Sequence, residues 1–329
     1  MAVEYLTLAD YAADPEPLVA GVAKGLRENS RFMDILPFYD MGSLSIKVVH
    51  EGEMPEAVWR EKGVEHGSVK AAKPKETEEF AYSIGNQIKV DVMDFNDRRK
   101  RLYNPMTYQT NLITKSIARG FCHAAINGLP TDLKNPVGLH YRTNNDLDAS
   151  QKINGNGLDI SPDAVGLAAN IQAYFDFLDQ LLYTLTDSIE QANEVFLLTN
   201  DTVILRHQSI ARKSGSLNTV KDALGRTFTD YKGARFVDMG RKFDDVTRII
   251  GNTELNTGAA LTGGAATSIY GVRVGKEYFT AWQEYGMKVY PPELQPDKVT
   301  LMSVIDWVPG IAVSHPRYSV ARFHGLVAL

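Results

Sequence analysis

Cysteine is almost missing from this 329-residue chain: Cys122 stands alone, so no internal disulfide can form and a structural zinc site has too few thiolates. Apolar runs of the roughly 20 residues that cross a bilayer are missing too. Even Ser303–Val313 is interrupted by Asp306 and Pro309. The opening segment is acidic and has no basic region followed by an apolar one, which predicts no secretory signal and a reducing cytoplasm as the folding compartment. Basic excess is lacking as well. A formal charge of −5 argues against a dedicated nucleic-acid binder, while leaving transient contact open.

Catalytic patterns are equally scarce. Gly42-Ser43, Gly67-Ser68 and Gly215-Ser216 all lack the flanking glycines of a nucleophile elbow. Gly271–Glu277 has three residues between its glycines where a phosphate loop has four, and Glu277 stands where a hydroxyl would bind magnesium. Asn154–Asp159 offers Gly155 and Gly157 but no third glycine for a dinucleotide turn. The seven histidines show no paired ligand spacing, and His123, beside Cys122 in a helix, points to a different face from its neighbour. Asp244-Asp245 is expected to be solvated on opposite sides. No catalytic, cofactor-binding or metal-binding residue is therefore nominated, and an enzyme is not expected.

What is present is an ordinary globular composition, 44% hydrophobic and 23% charged, long enough for a substantial core and two or three subdomains. Residues before Pro37 form short helical fragments broken by Asp14–Pro17 and read as an arm. Leu44, Ile46 and Val48 then alternate with Ser43, Ser45 and Lys47, which predicts a strand. A second alternation places Phe80, Tyr82, Ile84, Ile88, Val90 and Val92 at even positions and predicts one strand of roughly 43 Å. Between them lies a polar connection with eight glutamates and five basic residues over Glu51–Glu79, and little apolar material beyond Met54, Val58, Trp59, Val64 and Val69. A hairpin tip so composed cannot order itself by burial, so it is either mobile or docked on another molecule. Asp97–Arg101, the one dense basic cluster, is either a contact for nucleic acid or an acidic partner, or a solvated turn paired with acids such as Asp94.

The clearest helix follows. Asn104 can cap it, Pro105 suits its first position, and Met106, Ile113, Ile117, Phe121 and Ala124 share one face. Asn127-Gly128 is expected to supply a left-handed residue that closes it, Pro130 prevents resumption, and an apolar tetrad, Pro136–Leu139, comes directly after. A second helix is expected after the Gly/Asn-rich loop Asn154–Asp163, with Ser161 as cap and Pro162 first. Its ladder runs Ile171, Phe175, Leu178, Leu182, Leu185, Ile189; Tyr174 and Phe177 widen it beyond a coiled-coil seam into a globular packing face. A short apolar strand at Val195–Leu198 and a helix stopping near Gly215 precede a mostly β remainder. Within it, Asn252–Ser268 reads as a flexible or contact-making surface loop without an apolar anchor.

This order of parts resembles the major capsid proteins of tailed, especially short-tailed, bacteriophages, with their Hong Kong 97-type fold. The most specific stretch is Phe121–Thr143, where Ile126-Asn127-Gly128 matches the close of the family's spine helix and Gly138-Leu139 the turn after it. The resemblance implies an α+β fold with residues 1–42 as N-terminal arm and 43–92 as extended β-hairpin loop. Residues 93–160 would be the part of the peripheral domain with the spine helix, and 161–329 the axial domain and returning peripheral strands. It implies a virion protein, assembled in the host bacterial cytoplasm from pentamers and hexamers of itself into an icosahedral shell around double-stranded DNA, bound without sequence specificity. Portal, decoration or cement, and separate scaffolding proteins are the implied partners, with no membrane and no cofactor. Met54, Trp59 and Arg60 would make extended-loop contacts; Asn127, Gly128, Gly138 and Leu139 would fix the spine-helix exit, and with it the angle between hairpin and body. The alternatives are an encapsulin-like nanocompartment shell and, from another class, a soluble enzyme with an inserted β-hairpin.

Overall fold

Prolines and a serine set the first turns of the chain. In the computed structural model, which describes residues 5–6, 17–50, 59–64, 75–96, 104–146, 148–186, 192, 194–214, 218–221, 227–315 and 317–329, β1 (Tyr5–Leu6) is followed by α1 (Pro17–Asn29) and α2 (Arg31–Ile35). Ser30 caps α2, its hydroxyl accepting from the Met33 amide at 3.3 Å. Met54, Val58, Lys70, Asp97–Arg101, Ile189 and Gly215 lie outside the described residues.

The segment expected to be an arm is, from Pro17 onward, part of the body. Val22, Ala23, Leu26, Phe32, Met33 and Leu36 are buried in the largest core, beside Ile113, Ile117 and Phe121. At roughly 1.5–3 kcal/mol for each large side chain withdrawn from water, that burial offsets a substantial part of the entropy lost in ordering two short helices. After Pro37 comes β2 (Phe38–Asp40), which pairs with β1.

The charged hairpin consists of β3 (Ser45–His50) and β4 (Lys75–Phe80), in a register from Ser45↔Phe80 to His50↔Lys75. The single long strand expected over residues 80–92 is two pieces. Backbone pairing changes at Ala81–Ser83: the Ala81 amide donates to Leu44 (2.9 Å) and the Tyr82 amide to Pro309 (3.1 Å). β5 (Ile84–Asp91) then joins another sheet, and α3 (Val92–Asn96) begins where the Asp91 carboxylate accepts from the Met93 amide. Apolar phase runs unbroken through the switch, so period two could not reveal it.

The long helix α4 (Pro105–Asn127) is capped by Asn104, whose Oδ1 accepts from the Met106 amide at 3.0 Å. Its face Met106, Ile113, Ile117, Phe121, Ala124 is buried. Phe121 meets Phe32, Phe38 and Trp307 with ring centroids 5.6–6.4 Å apart. Then follow α5 (Leu139–Asn145), β6 (Lys152–Asp159), α6 (Leu167–Leu185), β7 (Val195–Thr199) and α7 (Asp201–Ser214). The remainder is β8 (Asn218–Lys221), β9 (Thr227–Tyr231), β10 (Ala234–Asp238), β11 (Thr267–Arg273), β12 (Phe279–Gln283), β13 (Lys288–Leu294), β14 (Thr300–Trp307), β15 (Pro309–Val313) and β16 (Val320–Val327).

Among the described residues these form a seven-stranded mixed sheet β6-β16-β11-β7-β10-β9-β8, a four-stranded sheet β1-β2-β12-β15 and a three-stranded sheet β13-β14-β5. Every residue of β7 and β11 is buried. α6 rests Leu181 and Leu185 on β11 at Gly271, where an added Cβ would lie 2.5 Å from Leu185 Cδ1. Two local expectations change here. α6 starts at Leu167 after Gly166 in left-handed conformation (φ 73°), because Ser161–Ala164 closes a separate turn. The Asn/Gly-rich segment is strand β6, parallel to β16, with Asn156 and Gly157 (φ 52° and 78°) taking up a register shift opposite Gly325.

Buried histidines make this packing acid-sensitive. His207 of α7 lies against Phe236 (4.5 Å between ring centroids), Tyr174 and Tyr231, and burial holds its imidazole down to about 4. The unfolded chain takes up that proton from about pH 6.5 downward and the native state only near 4, so stability falls across that window as pH drops. The loss from this group at pH 4 is expected to be about 3 kcal/mol, read as a lower urea midpoint than at pH 7. His207→Gln is expected to flatten that part of the pH dependence.

Candidate assembly surface

The helix exit is closed by two glycines that meet backbone to backbone. Gly128 is not left-handed (φ −58°, ψ 139°), contrary to the expected closure. Its lack of a side chain serves a close approach instead: a Cβ there would sit 2.0 Å from the Pro136 carbonyl oxygen. Gly138 answers it, with a Cβ position 2.5 Å from the Gly128 nitrogen, and its amide donates to the Gly128 carbonyl at 2.9 Å. Asn127 donates its side-chain amide to the Ile249 carbonyl at 2.9 Å, and Leu139 is fully buried in the main core. The ten-residue excursion is thereby pinned at both ends to the helix it left.

One guanidinium extends this anchorage to the hairpin. Arg142 of α5 donates through both Nη atoms to the Glu79 carboxylate of β4 (2.5 and 2.6 Å), and through Nε to the Val137 carbonyl at 3.0 Å. Both side chains are buried. A bidentate fork fixes direction as well as distance, so strand β4, the exit turn and α5 hold one mutual angle. Sequence reading missed this pair because Glu79 counted as one of many glutamates. The available signal was phase: Glu79 lies opposite Ile46, on the same strand face as Val48 and Thr77.

The two hairpin faces differ. Inward, Val48 and Ala81 pack with Tyr39, Trp282, Val308 and Ala312, with Ile46 and Tyr285 at the margin. Outward, Ser45↔Phe80, Lys47↔Glu78 and Val49↔Glu76 share a face on which Phe80 and Val49 are exposed. Farther out, Trp59 is 99% exposed and Val64 is exposed too, while Arg60 donates to the Val64 carbonyl at 3.1 Å in a small turn. The structure therefore brings Asn127, Gly128, Gly138 and Leu139 together, while Trp59 and Arg60 belong to an exposed turn between β3 and β4 in the chain.

Elsewhere, charged groups are structural. Asp244 and Asp245 are exposed, in keeping with their expected solvation; Asp245 also pairs with Arg119 and Lys115 of α4, while Asp244 accepts from the Val246 and Thr247 amides. The loop after Asn252 has a polar anchor: Glu254 is buried and ion-paired to Arg322 at 3.0 Å. Cys122 is buried against Ser30, and burial pushes its thiol up to about 12, far from a nucleophile's range. Among the described residues no His, Cys, Asp or Glu side chains gather in threes as metal ligands, and no helix is long and apolar enough to cross a membrane.

No protein-family model matches the chain, and no curated protein sequence matches it. Solved structures do. The chain is similar to the SrpI encapsulin of Synechococcus elongatus PCC 7942 (TM-score 0.58, 14% identity, 91% of this chain and 88% of that one). It is similar to the capsid of the native GTA particle (0.57, 14%, 92% and 91%) and to a chain of Mycobacterium phage Bobi (0.56, 11%, 91% and 90%). The fold is therefore the α+β Hong Kong 97-type fold of capsid and encapsulin shells.

Proposed function

We propose that the chain is a shell subunit that assembles with copies of itself into an icosahedral phage head enclosing double-stranded DNA. The observation that carries this reading is the hairpin. Its base is locked by a buried ion pair, yet its outer face and tip present Phe80, Val49, Val64 and a fully exposed Trp59 to solvent. Among the described residues these large apolar groups are left uncovered by their own subunit, as interface anchors are. The fold, shared with shells on both the phage and encapsulin sides, supplies the context.

Closure of a shell depends on repeated angles, since a small error copied head to tail gives an open sheet or tube. Two paired glycines and a bidentate ion pair are devices that resist such error. In this reading pentamers and hexamers form in the host cytoplasm with a separate scaffolding protein, a portal and, on some heads, a decoration protein. A net charge of −5 on the subunit agrees with weak attraction to packaged DNA. The likeness to an encapsulin supports a second reading, a compartment around protein cargo.

Purified material sized by chromatography and electron microscopy tests the proposal. Capsomers, shells or tubes support it; a stable monomer at all concentrations, with or without scaffold, overturns it. Nuclease-protected DNA in the particles favours the head, and a co-purifying enzyme without DNA favours the compartment. Replacing residues 51–78, which include most of β4, by a short turn is expected to leave a folded subunit with a cooperative unfolding transition that forms no shells. Normal shells from that deletion would remove the hairpin from the account.

A further inference from the structure

Residues 251–266 are seated on a buried network that includes two histidines. Arg322 of β16 donates to Glu254 Oε2 (3.0 Å), Ser268 Oγ (3.1 Å), the Gly258 carbonyl (3.0 Å) and Asn144 Oδ1 (3.1 Å). A guanidinium only donates, so the oxygen of the Asn144 amide must face it. The Asn144 nitrogen then donates to the Gly258 carbonyl at 3.2 Å and to His140 Nε2 at 3.3 Å. Nε2 of His140 is thus the bare nitrogen, and Nδ1–H donates to the Tyr270 hydroxyl at 3.2 Å.

A proton on Nε2 would confront the Asn144 amide hydrogens. Turning the amide to accept that proton would set its NH₂ against Arg322 and withdraw its bond from Gly258. Gly258 itself leans on His324, where an added Cβ would lie 2.7 Å from the ring, and His324 Nδ1–H donates to the Asn256 carbonyl at 3.2 Å. The charged and titratable groups around His140 are Arg322 and His324 from β16, Glu254 from the loop, Tyr270 from β11, and Lys152 from β6. The Lys152 ammonium donates to the Asn144 carbonyl at 2.6 Å. An added proton therefore meets Arg322, which is already paired with the one carboxylate named here.

We propose that protonation of His140 turns Asn144 over and unseats the loop between Glu254 and Ala266, an acid-sensitive catch built into the sheet. Burial first, then Arg322 and His324, hold the closed-state imidazole down to about 4. An open loop restores an ordinary histidine, so acid favours opening between about pH 6.5 and 4. Between pH 7.5 and 4.5 the open fraction is expected to rise roughly 70-fold.

Hydrogen exchange followed by mass spectrometry, corrected for intrinsic rates, measures this in the full chain. The amides of Leu255, Gly258, Gly264 and Ala266, which are hydrogen-bonded inside the loop segment, are expected to lose protection at pH 4.5, while those of β7 keep theirs. His140→Gln, which accepts from Asn144 but cannot charge, is expected to abolish the change, and His324→Gln to retain it. Unchanged loop protection in the wild type overturns the proposal, as does an equal loss in H140Q or loss of the response in H324Q. The wild-type and H324Q measurements decide the matter even if H140Q does not fold.

Discussion

A Gly128→Ala subunit is expected to lose at least about 3 kcal/mol of stability, or to fail to fold, even though its backbone angles there suit any residue. The new methyl would stand 2.0 Å from the Pro136 oxygen and 2.7 Å from the Ala124 oxygen, both of them backbone atoms, the second already accepting from the Gly128 amide. Neither can swing aside as the end of a side chain could. Relief requires the 129–138 excursion to lift off the helix, and Leu139 to leave the core with it. Gly138→Ala meets the Gly128 nitrogen and the Ile126 oxygen from the other side and is expected to do the same. The contrast is Gly42→Ala: Gly42 has φ 62° but nothing within 4 Å of its Cβ position, so only modest backbone strain is expected. Chemical denaturation of the three variants checks the ranking, and a Gly128→Ala midpoint near the wild type's would show that the exit is soft.

Breaking the buried pair by Arg142→Met is expected to cost about 3–5 kcal/mol, because Glu79 is left charged, buried and without its two donors. Glu79→Leu is expected to cost a similar amount, by stranding the guanidinium. Making both changes restores apolar complementarity, and the double variant is expected to recover most of the lost stability, as the coupling term of a double-mutant cycle. Recovery of stability without recovery of shells would separate the two tasks of the pair. Holding the subunit together needs only that the volume be filled, whereas aiming the hairpin needs the fork.

The long helix was legible from end to end, since cap, proline and apolar face are local signals within one element. Its exit was legible as a stop and illegible as a mechanism. Gly128 is required by Pro136 and Gly138, a tertiary contact on which left-handed closure is only the commonest alternative. Glu79 and Arg142 are 63 positions apart, and nothing in either neighbourhood names the other. The Asn/Gly-rich run reads as loop by composition, yet its parallel partner β16 makes it a strand with a bulge. The two helices before Pro37 read as an arm because α2 is too short to show a face and nothing local says that the Val22, Ala23, Leu26 face of α1 is buried by packing on α4. At the hairpin, the sequence identified a segment poor in core material and rich in charge. It could not distinguish its inward from its outward face, which the pairing register does.

The order of strands in the large sheet also bears on when this protein can begin to work. β16 lies between β6 and β11, so among the described residues β6 has no other neighbour in the sheet and must wait for Val320–Val327 to be synthesised. Arg322, on that same strand, completes the network that seats the loop near Glu254. On the ribosome the sheet is thus kept unfinished until β16 has emerged. A chain interrupted before Val320 lacks the strand that joins β6 to the sheet, and in the proposed role such a misshapen tile would be unfit for a shell.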